Sequence, residues 1–316
     1  MKPYDLTRFH GITIAMYGCY DSEGRISPQA VKRLARTYAD AGVKGLYIGG
    51  SSGEGMLQSV EERKQVLEAV MEEIRGELTV IVHVGAAATR DGIELAVHAE
   101  QCGADAVSAV PAIYYRLSEA SVEAHWQAII DSTELPFIIY HIPQTTGFQL
   151  TSALLSRMAK QDKVIGVKIS ADSVFELQQF KAAGGDSFLV LNGPDEQYVA
   201  GRSMGADGGI GGTYGVMPEL FLHLERCFAD NRLADARRWQ YRINEIIGEL
   251  LSFPSLYGAC KAILKQRGLH IGEPRLPLLP VGEKDLERIA ELELKIARYT
   301  ALAREEAGTG ASGGRR

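Results

Sequence analysis

Cysteine is scarce in this chain. Four are present among 316 residues, Cys19, Cys102, Cys227 and Cys260, and no two form a CxxC pair. They read as reduced thiols of a cytoplasmic protein, not as a disulfide framework or a zinc site. Long apolar runs are missing as well. None approaches the roughly 20 residues that span a bilayer, so no membrane partner is expected. Residues 1–10 are polar and lack the apolar core of a signal peptide. There is no excess of positive charge. The formal net charge is -6 and is spread along the chain without a basic face, which argues against nucleic acid as a partner. No GxGxxG turn follows the first strand-like segment, so a dinucleotide site is not expected. The histidines lack the acidic or histidine neighbours that a metal site needs.

What remains is an ordinary globular composition, 46% hydrophobic and 23% charged. Strand-like and helix-like segments alternate without a break in composition. Strands are expected at 11–16, 45–48, 79–84, 105–110, 136–140, 164–170, 187–191 and 208–211. Ser27 caps a helical pattern over 28–41, with Pro28 at its first position. Ser59 opens another, with Glu62 completing a capping box. Residues 141–147 read as a loop, and beyond Pro218 every segment reads as helix. Eight strands alternating with helices fit an α/β fold of the (β/α)8 barrel kind, with extra C-terminal helices. The barrel is expected over residues 1–230 and the helical extension over 231–304. Residues 305–316, Gly/Ser/Arg-rich from Ala307 onward, are expected to be a disordered tail.

One stretch organises the chemistry. Residues 164–170 read Val-Ile-Gly-Val-Lys-Ile-Ser, a buried strand with one lysine near its C-terminal end. Burial disfavours an ammonium, and a neutral amine can attack a carbonyl. The plainer alternative is a lysine that snorkels to water. In a barrel the C-terminal ends of the strands converge on one face. That face would gather Ser51, Ser52, Tyr114, Tyr115, Tyr140, Lys168, Asp195 and Glu196 around one amine. Each has a plainer reading too. The two tyrosines could pack at a subunit contact. Asp195 and Glu196 could serve only a helix N-terminus. Glu54 could be a helix cap, and His83 and His141 read as structural strand-end histidines.

Four motifs in order carry a resemblance to a known family. They are GGSSGE at 49–54, YHIP at 140–143, GVKIS at 166–170, and NGPDE at 192–196 followed by GADGGIGGTY at 205–214. The chain resembles the Schiff-base aldolases and lyases that include dihydrodipicolinate synthase and N-acetylneuraminate lyase, over almost its whole length. LYIGGSSGE, HVGA, DAVSAV, YHIP and the Asp195-Glu196 pair look like the N-acetylneuraminate lyase branch. Gln144-Thr145-Thr146 stands where the synthase branch typically carries an arginine, which argues against the synthase activity.

The resemblance implies a residue-by-residue mechanism. Lys168 would form an imine with the C2 ketone of a 2-oxo acid, and Tyr140 would take the proton of the C4 hydroxyl as the C3–C4 bond breaks. Ser51 and Ser52 would bind the C1 carboxylate, and Ser170 would stand beside the amine. Gly193, Asp195 and Glu196 would face the polyhydroxyl end of the substrate, and Tyr115 would sit near the site or reach a neighbouring subunit's relay. No cofactor or metal is implied, because the lysine supplies the electron sink, and relatives are usually homotetramers. Two departures stand out. Tyr17-Gly-Cys-Tyr20 replaces a Thr-Pro-Phe turn and is expected to alter the floor or rim of the pocket. Gly212 replaces a serine that in the lyases often touches the substrate. The implied reaction is reversible cleavage of N-acetylneuraminate to N-acetylmannosamine and pyruvate. The alternatives are aldol cleavage or dehydration of another 2-keto-3-deoxy sugar acid or 4-hydroxy-2-oxo acid, and a catalytically silent barrel.

Overall fold

The computed structural model describes residues 3–310. Eight parallel strands close into a barrel in sequence order. They are β1 (Gly11–Ala15), β2 (Gly45–Ile48), β3 (Thr79–His83), β4 (Ala106–Ala109), β5 (Phe137–His141), β6 (Val164–Ile169), β7 (Leu189–Asn192) and β8 (Gly208–Gly211). The ring shuts where Gly11 to Ile14 of β1 pair with Gly208 to Gly211 of β8. Helices α1 (Pro28–Asp40), α2 (Val60–Ile74), α3 (Thr89–Cys102) and α4 (Glu119–Asp131) follow the first four strands. After β5 come α5 (Pro143–Thr146) and α6 (Ser152–Met158), then α7 (Val174–Gly184) after β6 and α8 (Tyr198–Ser203) after β7. Beyond β8 lie α9 (Pro218–Ala229), α10 (Leu233–Leu251), α11 (Leu256–Gln266) and α12 (Leu286–Gly310).

The starts of these helices follow from local chemistry. The Ser27 side chain accepts the Ala30 N–H, and Ser59 and Glu62 satisfy each other's backbone N–H groups in a capping box. Each such cap stabilises its helix by about 1 kcal/mol. Two apolar layers result. Ala15, Ile81, Ile138, Ile165, Leu189 and Ile210 fill the barrel interior, and Phe9, just before β1, packs into the same cluster. The second layer, between strands and helices, contains Trp126, Phe137, Phe180 and Trp239. A filled barrel has no pore, so its polar chemistry is confined to the rim.

Three expectations change in detail. Residues 143–146 form a single helical turn instead of open loop, with Pro143 at its start and Gly147 in the left-handed region ending it. Asp195 to Gln197 form a 3-10 turn, so the following helix begins only at Tyr198. Residues 305–310, expected within the tail, continue α12. Glu306 explains part of this: its carboxylate accepts the Trp239 indole N–H at 2.9 Å and lies 3.4 Å from His223, tying the helix end to α9 and α10. Residues 311–316 lie outside the described residues. Among the described residues no helix is long and apolar enough to cross a membrane.

Candidate active site

The site begins with a pairing between strands. In the β5–β6 ladder Tyr140 is the direct partner of Lys168. Both side chains are buried at the C-terminal ends of their strands, 3% and 5% exposed. The Lys168 Nζ lies 4.0 Å from the centre of the Tyr140 ring and 4.7 Å from that of Tyr47 on β2. The amine therefore stands between two aromatic faces, which favours a cation at this point, whether ammonium or iminium. Tyr47 is held by a hydrogen bond from its hydroxyl to Ser108 at 3.1 Å, and its ring meets Tyr140 edge-on.

The Tyr140 phenol lies in a field of opposing effects. Burial pushes its pKa up. The charge of Lys168, with hydrogen bonds from Lys168, Ser51 and Ser170, outweighs burial and holds the phenol below its ordinary value of 10.0. A phenol with a lowered pKa and three polar partners can exchange a proton more readily than a free tyrosine.

Around this pair opens a cavity of about 330 Å³. Nine of the eleven residues that the sequence places here line it: Lys168, Tyr140, Ser51, Ser52, Ser170, Gly193, Asp195, Glu196 and Gly212. Ser51 is exposed and Ser52 buried, so the pair spans the cavity wall from mouth to floor. Gly193 is required by close approach, because a Cβ there would collide with the Ser170 hydroxyl. Asp195 is buried. Its Oδ2 accepts the backbone N–H of Thr213 at 2.7 Å and the Thr213 hydroxyl at 2.6 Å, while its buried Oδ1 has no protein partner. Burial pushes its pKa up to about 6, against the two Thr213 hydrogen bonds, with Glu196 adding to the rise and Lys168 opposing it. Glu196 is exposed at the mouth.

Tyr114 and Tyr115 are the exceptions. Neither lines the cavity. Tyr115 is 72% exposed and lies with Tyr114 and Thr145 along an adjoining groove, its ring edge-on to that of Tyr114. Tyr114 adopts φ 86°, a left-handed conformation costly for an aromatic residue, and this turns both rings outward. The turn at 17–20 also acts differently from expectation. None of its residues lines the cavity. Tyr17 instead works one layer below, donating its hydroxyl to the Gly212 carbonyl at 2.6 Å.

The two histidines have structural surroundings. Nδ1 of His83 donates to the Gly49 carbonyl at 3.0 Å, and Nε2 accepts the Val110 N–H at 3.4 Å. His141 is buried, 3.5 Å from Glu176, and burial pushes its pKa down to about 4. Glu54 stands at the N-cap position of the short 3-10 turn Gly55–Leu57 but does not cap it with its side chain. It sits at φ 57° without a capping bond, and its carboxylate is buried against Lys261 at 2.6 Å.

Sequence reasoning missed one wall of the site. Ile247 and Leu251 of α10, with Leu256 and Tyr257 of α11, line the cavity from the C-terminal helices. A helical segment far along the chain carries no local mark that it folds back over a barrel mouth. Thr213 was also missed, although it immediately follows Gly212 within the GADGGIGGTY motif. Among the described residues no group of three or more His, Cys, Asp or Glu side chains is placed to hold a metal ion.

A closed parallel barrel with a buried amine and a paired phenol at its C-terminal mouth defines the class: an enzyme of the (β/α)8-barrel lyases. The chain belongs to the Dihydrodipicolinate synthetase family, whose profile matches residues 8–295. It is 46% identical over 290 residues to an N-acetylneuraminate lyase of Mediterraneibacter gnavus, covering 91% of this chain and 92% of that protein. It is 39% identical over 285 residues to an N-acetylneuraminate lyase of Rhizobium meliloti, covering 90% and 94%. It superimposes on a solved Ruminococcus gnavus sialic acid aldolase, a catalytic lysine mutant, with a TM-score of 0.93 and 44% identity, over 97% of this chain and 99% of that one.

Proposed function

We propose that this protein is an N-acetylneuraminate lyase, cleaving N-acetylneuraminate reversibly to N-acetylmannosamine and pyruvate through a Schiff base on Lys168. The observation that carries the reading is the Tyr140–Lys168 pair at the mouth of the barrel. The names of the similar proteins support the substrate.

In the cleavage direction the Lys168 amine adds to the C2 ketone of the open-chain sugar acid. Loss of water then leaves a protonated imine, which the two aromatic faces stabilise. Tyr140 takes the proton of the C4 hydroxyl, and the electrons of the C3–C4 bond pass into the iminium. The aldehyde departs, leaving the enamine of pyruvate. Protonation at C3 and addition of water to C2 release pyruvate and restore the amine. Ser51 and Ser52 receive the C1 carboxylate through hydroxyl and backbone N–H groups, which suit an anion in a glycine-rich loop. Asp195 meets the polyhydroxyl chain with its free Oδ1, and Glu196 offers a second acceptor at the mouth. Ser170 and Gly193 line the path between the reacting carbons and that distal end.

The reading extends to a homotetramer in the cytoplasm. The outward-turned rings of Tyr114 and Tyr115 support a contact between copies, and aromatic residues are enriched in such contacts.

Gly212 favours a second reading, in which the same imine chemistry serves another 2-keto-3-deoxy sugar acid. Residue 212 supplies no hydroxyl of its own, and the space beside it is taken by the Ser52 hydroxyl, which this reading commits to the C1 carboxylate. One assay separates the two: pyruvate release from N-acetylneuraminate, coupled to lactate dehydrogenase and followed as loss of NADH. Turnover establishes the lyase. Absence of turnover, with a pyruvate imine still trapped by borohydride, transfers the activity to another sugar acid.

A further inference from the structure

The loop at 49–54 and helix α11 meet at two points. At the first, Glu54 buries its carboxylate, with Oε1 2.6 Å from Lys261 Nζ and both side chains essentially without solvent contact. Its Oε2 accepts the backbone N–H of Arg275 at 2.7 Å, and the Tyr20 ring lies 4.5 Å from the Lys261 amine. At the second, two residues earlier in the loop, Ser52 and Tyr257 line the same side of the cavity next to Gly212, and the Ser52 hydroxyl partly offsets the burial that pushes the Tyr257 phenol up. Tyr257 and Lys261 are four apart on α11 and so share one face of the helix.

Gly212 completes the arrangement. A Cβ at that position would stand 2.7 Å from the Ser52 Oγ and 3.8 Å from Cε1 of Tyr257. The Ser52 hydroxyl therefore occupies the space that a side chain at 212 would take, beside the Tyr257 ring. Tyr17 holds the Gly212 carbonyl in place from below.

We propose that α11 sets the geometry of the carboxylate-binding loop, with Tyr257 the positioning residue that holds the Ser52 hydroxyl over Gly212 and the Glu54–Lys261 pair the anchor that keeps helix and loop together. This rests on the reading of Ser51 and Ser52 as the cradle for the pyruvate carboxylate. A serine hydroxyl has three staggered positions of similar energy. A phenol partner selects one before the substrate arrives, and that preorganisation is realised as affinity. The missing side chain at 212 is then a counterpart of Tyr257, since it leaves the selected position free.

The test is the pyruvate concentration needed for half-maximal borohydride trapping on the full chain, read by intact mass. Wild type, Y257F, G212S and the double variant are compared. Y257F keeps the ring and removes the hydroxyl. It should need about three- to tenfold more pyruvate, the size of one neutral polar interaction, with little change in the trapping rate at saturation. G212S should also raise the requirement, and by less in the Y257F background, where Ser52 is free to turn away. A Y257F curve that overlays a trapping wild type overturns the positioning role and leaves the lyase reading intact. G212S and Y257F effects that multiply independently also overturn it. A wild-type chain that traps no pyruvate removes the Schiff-base reading, and this inference with it.

Discussion

Tyr140 and Lys168 are neighbours across a β-ladder, not residues brought together by loops. Adjacent strands lie about 4.8 Å apart, so the backbone itself sets the distance between amine and phenol. Loop motion at the barrel mouth can change what enters the cavity without altering this pair.

Lys168→Ala should abolish pyruvate release and leave no borohydride-trapped adduct by mass spectrometry. The fold should survive, because the alanine removes a polar group from the end of a filled barrel. Turnover retained in this variant would rule out the imine.

Tyr140→Phe should separate imine formation from bond cleavage. The ring remains against Lys168, so pyruvate should still be trapped. Turnover of the sugar acid should fall about 10²- to 10⁴-fold, the usual contribution of one acid–base group. Equal losses in trapping and in turnover would assign the hydroxyl to imine formation instead.

Asp195 makes a prediction with a definite sign. Its carboxyl stands at about 6 in the folded chain, against an ordinary 3.8, chiefly through burial. A folded value above the unfolded one means that the protonated form favours folding. That stabilisation is complete below 3.8 and is lost as pH rises through about 6. The loss amounts to at most about 3 kcal/mol. Urea midpoints of wild type and D195N should therefore diverge across this window, with wild type falling relative to the variant as pH rises. A constant gap would contradict the burial argument.

Glu54→Gln should leave Lys261 as a buried, unpaired charge. Stability to urea should drop by about 3–5 kcal/mol, and replacing both residues, as in E54Q/K261M, should recover much of the loss. A single variant with the wild-type midpoint would show that the pair carries no such energy.

The strands were legible where their apolar runs were bounded by glycine or acidic residues; β2 and β8 match the expected limits residue for residue. Ser27 and Ser59 announced their helices through capping chemistry, which is local by nature. The paired positions of Lys168 and Tyr140 were legible because a barrel places every strand end on one face. Tyr257 and Lys261 were not, since what matters is their contact with Ser52 and Glu54, distant in sequence. A buried carboxylate such as Glu54 looks like a surface cap until its partner is known. Of the two places expected for Tyr115, the cavity is not the one it takes: the chain turns at Tyr114, Tyr115 is exposed outside the cavity, and φ cannot be read from residue type.

The wall that α10 and α11 contribute makes this enzyme hard to abbreviate. A chain ending after β8 would hold every strand, the amine and its phenol. It would also have an open cavity side where Leu251 and Tyr257 stood, and Glu54 would lose both of its partners, the Lys261 amine and the Arg275 N–H. Variation in substrate choice therefore has a second place to act besides the barrel loops. Substitutions along one face of a C-terminal helix can reshape the pocket while leaving all eight strands untouched.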